Sequence, residues 1–376
     1  MIEEPAFTLG IEEEYLLVDR ASRDLVRDPP AELLAECERR LGSRVSPEFL
    51  RSQIEVQTGI CTSAAVARAE LAELRLTVAE VAARYDMAPV AAATHPLASH
   101  VTQRRTDRAR YHALHQDLQG VARRLVICGM HVHVGVGDDE LKIDLMNQVS
   151  YFLPHLLALS TSSPFWQGED TGLKSYRIAV FDEMPRTGIP ERFESWGEYT
   201  RHTSTLVKLG IIDETSKLWW DIRPSSRFPT LEMRIADVCT LLDDGIAIAC
   251  LYRCLLRMLW RLRVANQRWR LYLRMLIDEN RWRAQRYGTD EGLVDFGRAE
   301  LVPYPQLLDE MLALVREDAL HFGCVLELAH ARTILDRGTS AHNQLRVHQA
   351  ALARGLDHEA ALGHVIDWLI EATVRV

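Results

Sequence analysis

Four stretches of this 376-residue chain alternate so that charged side chains gather on one side and apolar ones on the other. Along an extended strand, residues i and i+2 share a face. In 7–18 this brings Gly10, Glu12 and Glu14 together. In 49–60 it groups Arg51, Gln53, Glu55 and Gln57, with Leu50, Ile54 and Val56 opposite. In 127–136, His131 and His133 stand with Gly129 and Gly135, over a reverse face of Cys128, Met130, Val132, Val134 and Val136. In 230–236, Glu232 and Arg234 stand over Leu231, Met233 and Ile235. The polar side thus holds four carboxylates, two imidazoles, two arginines and no lysine. Neighbouring strands lie about 4.8 Å apart, so such groups crowd one another if these strands pair. Crowded carboxylates repel unless a cation neutralises them. An oxygen-rich donor set points to Mg2+ or Mn2+ ahead of zinc. Alternation alone is also satisfied by an ordinary antiparallel sheet with one wet side. Glu13 falls on the apolar side with Leu9, Ile11, Tyr15 and Leu17, where a strand end or a partner arginine would have to receive it.

The elements that must position these groups divide the chain unevenly. Further strands are expected at 87–94 and 218–222, and helices at 31–41, 63–85, 138–161 and 196–209. From about residue 243 nearly everything reads as helix: 243–285, 304–317, 324–336, 341–354 and 358–376. Ser63 and Asp138 precede apolar-periodic runs and can cap them, with Glu140 favoured by the dipole of the first turn. Residues 162–190 hold Pro164, Gly168, Gly172, Pro185, Gly188 and Pro190 and read as one long loop, of the kind that is usually functional or mobile. No stretch looks like a linker, so residues 1–376 are expected to form a single domain of the α+β class.

Composition narrows the function. The net charge of −9 argues against general nucleic-acid binding. Seven cysteines with no C-x-x-C pair argue against a disulfide framework or a cysteine zinc site. Met1 to Pro5 carries no signal-peptide pattern, and no apolar run is long enough to span a membrane. A cytoplasmic location is the expectation, with no membrane or nucleic-acid partner. His131-x-His133 alone could be a zinc pair, and zinc hydrolysis is the reading it would support. Gly135 to Glu140 lacks the third glycine of a dinucleotide fingerprint, and no Walker-type phosphate loop occurs. Residues 251–290 carry ten arginines against three acids. Those arginines read as a face paired with acidic neighbours, or as phosphate contacts from Arg281, Arg283 or Arg286. Cys250 and Cys254 fall one helical turn apart and read as core.

Taken together, "FTLGIEEEYLLVD" (7–19), "RSQIEVQTGICTS" (51–63), "GMHVHVGV" (129–136) and "TLEMRIAD" (230–237) resemble the carboxylate–amine ligases, or type 2 glutamate–cysteine ligases. "SYR" (175–177), "PRTGIP" (185–190), "WWDIRPS" (219–225) and "NRWRAQRYG" (280–288) extend the likeness in order along the chain. The resemblance implies a glutamine-synthetase-like fold, a curved and mostly antiparallel sheet forming a bowl with helices on its back. It implies ATP-dependent condensation of a carboxylate, typically the γ-carboxylate of glutamate, with a small amine such as cysteine. It implies Glu12, Glu14, Glu55, His131 and Glu232 as metal ligands, and Arg234 facing the transferred phosphoryl group. Arg177, Arg186 and Arg223 become candidates for substrate or phosphate contact, and His133 for the nucleotide site. The family likeness also implies a homodimer or higher homo-oligomer. A non-catalytic protein binding a nucleotide or metabolite in the same bowl is the alternative. The chain departs from the family at 337–345, where Ser340 replaces a glycine and His342-Asn343 an acid–base pair. If that loop touches substrate, the substrate differs.

Overall fold

The computed structural model describes residues 3–376; Met1 and Ile2, part of the segment read for a signal peptide, lie outside the described residues. Its principal element is a seven-stranded antiparallel sheet. The strands are β1 (Leu9–Asp19), β2 (Val45–Pro47), β3 (Gln53–Gln57), β4 (Met87–Val90), β5 (Met130–Gly135), β6 (Ile222–Pro224) and β7 (Thr230–Met233). They lie in the order β6-β7-β5-β1-β3-β2, and β4 pairs with the far end of β1 beyond β5. The α+β class expected from sequence is the observed one.

The alternation places the apolar residues of β1, β5 and β7 on one side, where the helices Ala64–Ala83 and Leu242–Val264 pack. Ser63 starts the first of these, its hydroxyl accepting from the Val66 amide at 3.3 Å. Asp138 does the same for the helix Asp139–Val149, accepting from Leu141 at 2.7 Å. Satisfying amides that have no intrahelical partner is what fixes both starting points.

Glu13 is received on this apolar side by an arginine. Its carboxylate is fully buried and takes two hydrogen bonds from Arg75, at 2.7 and 2.9 Å, and one from the Tyr15 hydroxyl at 2.5 Å. The same guanidinium donates to the carbonyls of Cys239 (2.7 Å) and Thr240 (2.8 Å), so one side chain joins β1, a helix and the connection after β7. Arg75→Met leaves a buried carboxylate with no counter-charge and only the Tyr15 hydroxyl as donor, and takes the arginine donors from two carbonyls. It is expected to cost about 3–5 kcal/mol in urea unfolding. Glu13→Gln in the same background should recover part of that loss, and full additivity of the two would contradict a direct pair.

Several expectations are corrected. The strand expected over 49–60 is β3 alone; residues 51–52 form a turn closed by Gln53 N–H donating to the Leu50 carbonyl at 3.0 Å. Arg51 therefore leaves the polar row and pairs with Asp28 at 2.6 Å. The long loop at 162–190 contains a small hairpin (Phe165–Trp166 with Glu169–Asp170), the helix Tyr176–Phe181 and the strand Thr187–Gly188. Its prolines and glycines punctuate short elements. The helix expected over 243–285 is two, Leu242–Val264 and Arg274–Tyr287, and helices at Ala109–Leu118 and Gly120–Arg123 were not anticipated. Among the described residues no helix is long and apolar enough to cross a membrane.

Candidate active site

The register of the sheet sets the polar side chains in contact. Glu12 on β1 stands opposite His131 on β5, and Glu14 opposite Glu55 on β3. His133 stands opposite Glu232 on β7, which stands opposite Arg223 on β6. Two groups of potential ligand atoms result, each with all members within 4.8 Å of one another: Glu12, His131 and Glu232, and Glu14, Glu48 and Glu55. The four sequence segments read as separate motifs thus meet on one face.

The electrostatics of the groups differ. Burial works against the Glu12 carboxylate, but hydrogen bonds and charge from His131 and His133 outweigh it and hold its pKa far below the usual range. His131 Nδ1 lies 3.1 Å from one Glu12 oxygen and His133 Nε2 3.3 Å from the other. Burial, helped by the Arg234 charge, lowers the His131 pKa and keeps the ring in its neutral, ligating form. Glu232 is buried; Arg234 and Arg223 overcome that burial and keep it ionised. Arg223 donates to it at 2.9 and 3.3 Å and is anchored by the carbonyls of Ser216 (2.5 Å) and Leu218 (2.9 Å); Arg234 closes on the same carboxylate. Glu55 is the opposite case. Burial, then the charges of Glu48, Glu12 and Glu14, push its pKa well above the usual range, and the Ser46 hydroxyl (3.0 Å) only partly compensates. Glu55 packed against further carboxylates belongs to a donor set that fits a divalent cation. His133 sits beside Glu12 as His131 does, and its Nδ1 is 2.9 Å from the Thr230 hydroxyl.

The family model of glutamate–cysteine ligase family 2 (GCS2) matches residues 8–365. The chain belongs to that family. It is accordingly a carboxylate–amine ligase, an enzyme that forms an amide bond. A protein of Rhodospirillum rubrum provisionally named glutamate–cysteine ligase 2 is 61% identical over 99% of this chain and 97% of its own length. One of Jannaschia sp. with the same name is 53% identical over 97% and 96%. In fold, the chain is similar to the glutamate–cysteine ligase of Francisella tularensis solved in complex with AMP (TM-score 0.68, 14% identity, 100% of this chain and 90% of that one). It is also similar to the bifunctional glutathione synthetase of Pasteurella multocida (TM-score 0.69, 13% identity, 97% of this chain). The chain spans about half the length of that second protein (52%).

The remaining arginines of this ligase lie at different distances from the carboxylate face. Arg177 is buried and donates to the carbonyls of Arg234 (3.1 Å) and Ile235 (3.2 Å). Its guanidinium lies against Gly129, where a Cβ would overlap it. Gly129 N–H in turn donates to Glu14 at 2.7 Å, so Arg177 adjoins the second carboxylate group through this one residue. Arg186 follows the loop helix with φ at 62°, a costly conformation for a residue with a Cβ. It donates to the Lys217 carbonyl at 3.1 Å and lies 5.2 Å over the Trp219 ring. The parallel pairing of Thr187–Gly188 with Trp219–Trp220 ties this loop to the segment entering β6. Arg281 braces that junction by clamping Asp182 and Asp221, each at 2.6 Å. Arg283 is not brought to the cluster; it donates to the Gly292 carbonyl at 2.8 Å and faces Glu291.

Two residues escaped the sequence reading. Glu48 lies between β2 and β3; in the alternation of 49–60 it has the parity of Leu50 and Ile54, the apolar side, so that pattern could not find it. Asp237 ends the fourth motif and organises its neighbourhood: buried, it accepts from the Ser162 amide (2.9 Å) and the hydroxyls of Ser163 and Ser175 (both 2.8 Å), 3.9 Å from Arg177. Ser163 also accepts from the Arg177 amide at 3.1 Å. Asp237→Asn should lower kcat/KM by about ten- to a hundredfold through displacement of Arg177, as losses of outer hydrogen-bond partners do. Unchanged kinetics in a folded variant would separate Arg177 from the reaction. The segment 337–345 is mostly the start of the helix Ser340–Ala353, where His342 is bound to Thr339 and to Asp290 (2.9 Å). A cavity of about 670 Å³ lies apart from all these groups, among Tyr151, Phe152, Trp269 and Tyr272.

Proposed function

We propose that this ligase uses ATP to phosphorylate the γ-carboxylate of glutamate, or of a similar amino acid, and condenses the acyl phosphate with cysteine or another small amine. The chain would act as one catalytic domain over 1–376. The observation that carries the reading is the meeting of Glu12, His131 and Glu232 with Glu14, Glu48 and Glu55 on one sheet face beside Arg234. Family membership and the names of the relatives support the substrate class, and the AMP bound to the Francisella ligase supports an adenine nucleotide.

In this reading the two groups of side chains hold Mg2+ or Mn2+, which would neutralise phosphate oxygens and bring two anions together. Arg234 donates to charge that develops on the transferred phosphoryl group, where a planar fork suits phosphate oxygens. Arg223 and His133 hold Glu232 and Glu12 in place. Arg177 and Arg186 receive a substrate carboxylate or a phosphate. The amine then attacks the acyl carbon and phosphate leaves, so no nucleophilic side chain is required. Incubation with ATP, Mg2+, glutamate and a set of amines, followed by mass analysis, should give a γ-glutamyl amide and stoichiometric ADP. ADP release that does not depend on glutamate, with no amide from any amine, would refute the reading.

A further inference from the structure

Behind the sheet, and outside the carboxylate face, four cysteines surround one arginine. Arg253 on the helix Leu242–Val264 is buried, and the titratable groups acting on it are Cys250, Cys254, Cys324 and Cys61. Its Nη2 donates to the Thr62 carbonyl at 3.1 Å, its guanidinium carbon lies 3.8 Å over the centre of the Phe322 ring, and its Nε has no hydrogen-bond partner. Among the described residues no carboxylate comes within salt-bridge distance of it. Arg257, one turn later, shows the contrast, with Glu4 at 2.7 Å and Asp318 at 2.9 Å. A buried cation needs a counter-charge, and sulfur is what surrounds this one. Cys324 sits at the N-cap of the helix Val325–Arg337, where unpaired amides favour an anion. Its Sγ lies 3.6 Å from that of Cys254.

We propose that Cys324 and Cys254 form a peroxide-reactive dithiol, a modification site separate from amide-bond formation, in which Arg253 is the counter-ion of the attacking sulfur. Hydrogen bonds from Cys250 and Cys254, with Arg253, draw the Cys324 pKa below the usual thiol value against burial, whereas burial raises that of Cys37. The Cys324 thiolate attacks one oxygen of a hydroperoxide. An S–O bond forms, the O–O bond breaks, and the alkoxide or hydroxide that leaves takes up the proton the thiol had released. Cys254 sulfur then attacks Cys324 sulfur, the S–O bond breaks, and water departs with the Cys254 proton. Two thiols are oxidised to one disulfide while the peroxide is reduced to an alcohol, or water, plus water. The sulfurs must approach from 3.6 Å to about 2.05 Å, a movement of packed side chains rather than of whole helices. Both cysteines are buried, so the peroxide must enter at the start of the helix Val325–Arg337, where Leu326, two residues on, is 82% exposed. The bond would staple the helix Leu242–Val264, whose Tyr252 hydroxyl donates to the β7 carbonyl of Leu231 (3.3 Å), to the helix Val325–Arg337.

The test is graded hydrogen peroxide on the reduced full chain, followed by peptide mass mapping. A Cys254–Cys324 crosslink, lighter by two hydrogens, should form about tenfold or more faster than Cys37 is modified, and dithiothreitol should reverse it. Both sulfurs still reduced once Cys37 is oxidised, or Cys324 joined to Cys250 instead, would overturn the proposal. Cys254→Ala should leave a sulfenic acid at Cys324 that dimedone traps; no adduct there would also overturn it. Arg253→Gln should slow crosslinking, and an unchanged rate would remove the counter-ion role. The wild-type mapping decides the pairing even if that variant does not fold.

Discussion

Glu55→Gln should abolish cation-dependent turnover and at the same time raise the melting temperature of the metal-free chain. The loss is expected to be about a hundredfold or more, above what loss of an outer partner of a metal ligand costs. The stability gain comes from the crowding that makes the site fit a cation. Burial and the charges of Glu48, Glu12 and Glu14 hold the Glu55 pKa well above the usual range, so the folded chain binds a proton there more tightly than the unfolded one does. That proton contributes stability at low pH, and the contribution is lost as pH rises through the folded-state pKa. A neutral glutamine keeps it at every pH, and a rise of a few degrees is the expected size. Glu12→Gln should show the opposite sign in stability. The Glu12 pKa is held low by His131 and His133 against burial, so its contribution is present above the unfolded pKa and lost as pH falls. Turnover should fall in both variants while the melting temperatures move apart. Parallel shifts in thermal unfolding of the two chelated variants would contradict the electrostatic picture of the site.

Arg234→Ala should lower kcat by about a thousandfold while nucleotide affinity changes only a few-fold, because its donors would act on charge that appears in the transition state. Arg223 still holds Glu232 at 2.9 Å in this variant, so the carboxylate is not left without a partner. Arg234→Lys should recover only a small part, since a point charge does not reproduce a planar fork. Single-turnover ADP formation and equilibrium nucleotide binding separate the two effects, and a loss confined to binding would assign Arg234 to nucleotide affinity alone.

Much of this site was legible because a strand's period of two is rigid. Once Glu12, Glu14, His131, His133 and Glu232 were placed on strands, their shared face followed, and antiparallel register did the rest. What periodicity cannot supply is where a strand breaks. Arg51 shares parity with Glu55 but lies in the turn before β3, and Arg234 stays beside Glu232 although β7 ends at Met233. Partners distant in sequence were equally out of reach. Nothing near Glu13 announces Arg75, which arrives from a helix packed on the back of the sheet. The Asp237 hub draws on Ser162, Ser163 and Ser175, whose segment had read as an irregular loop. The arginines of 251–290 proved mostly structural: Arg257 and Arg261 share Asp318, and Arg281 joins Asp182 to Asp221.

Turnover should depend most on cations held by the two side-chain groups of the sheet face. Crystals grown with Mn2+ and a non-hydrolysable ATP analogue, with data collected at the manganese edge, address that directly. Anomalous peaks are predicted among Glu12, His131 and Glu232 and among Glu14, Glu48 and Glu55, with the triphosphate spanning them beside Arg234. Manganese bound only at other positions, or a face that stays free of metal with nucleotide present, would contradict it.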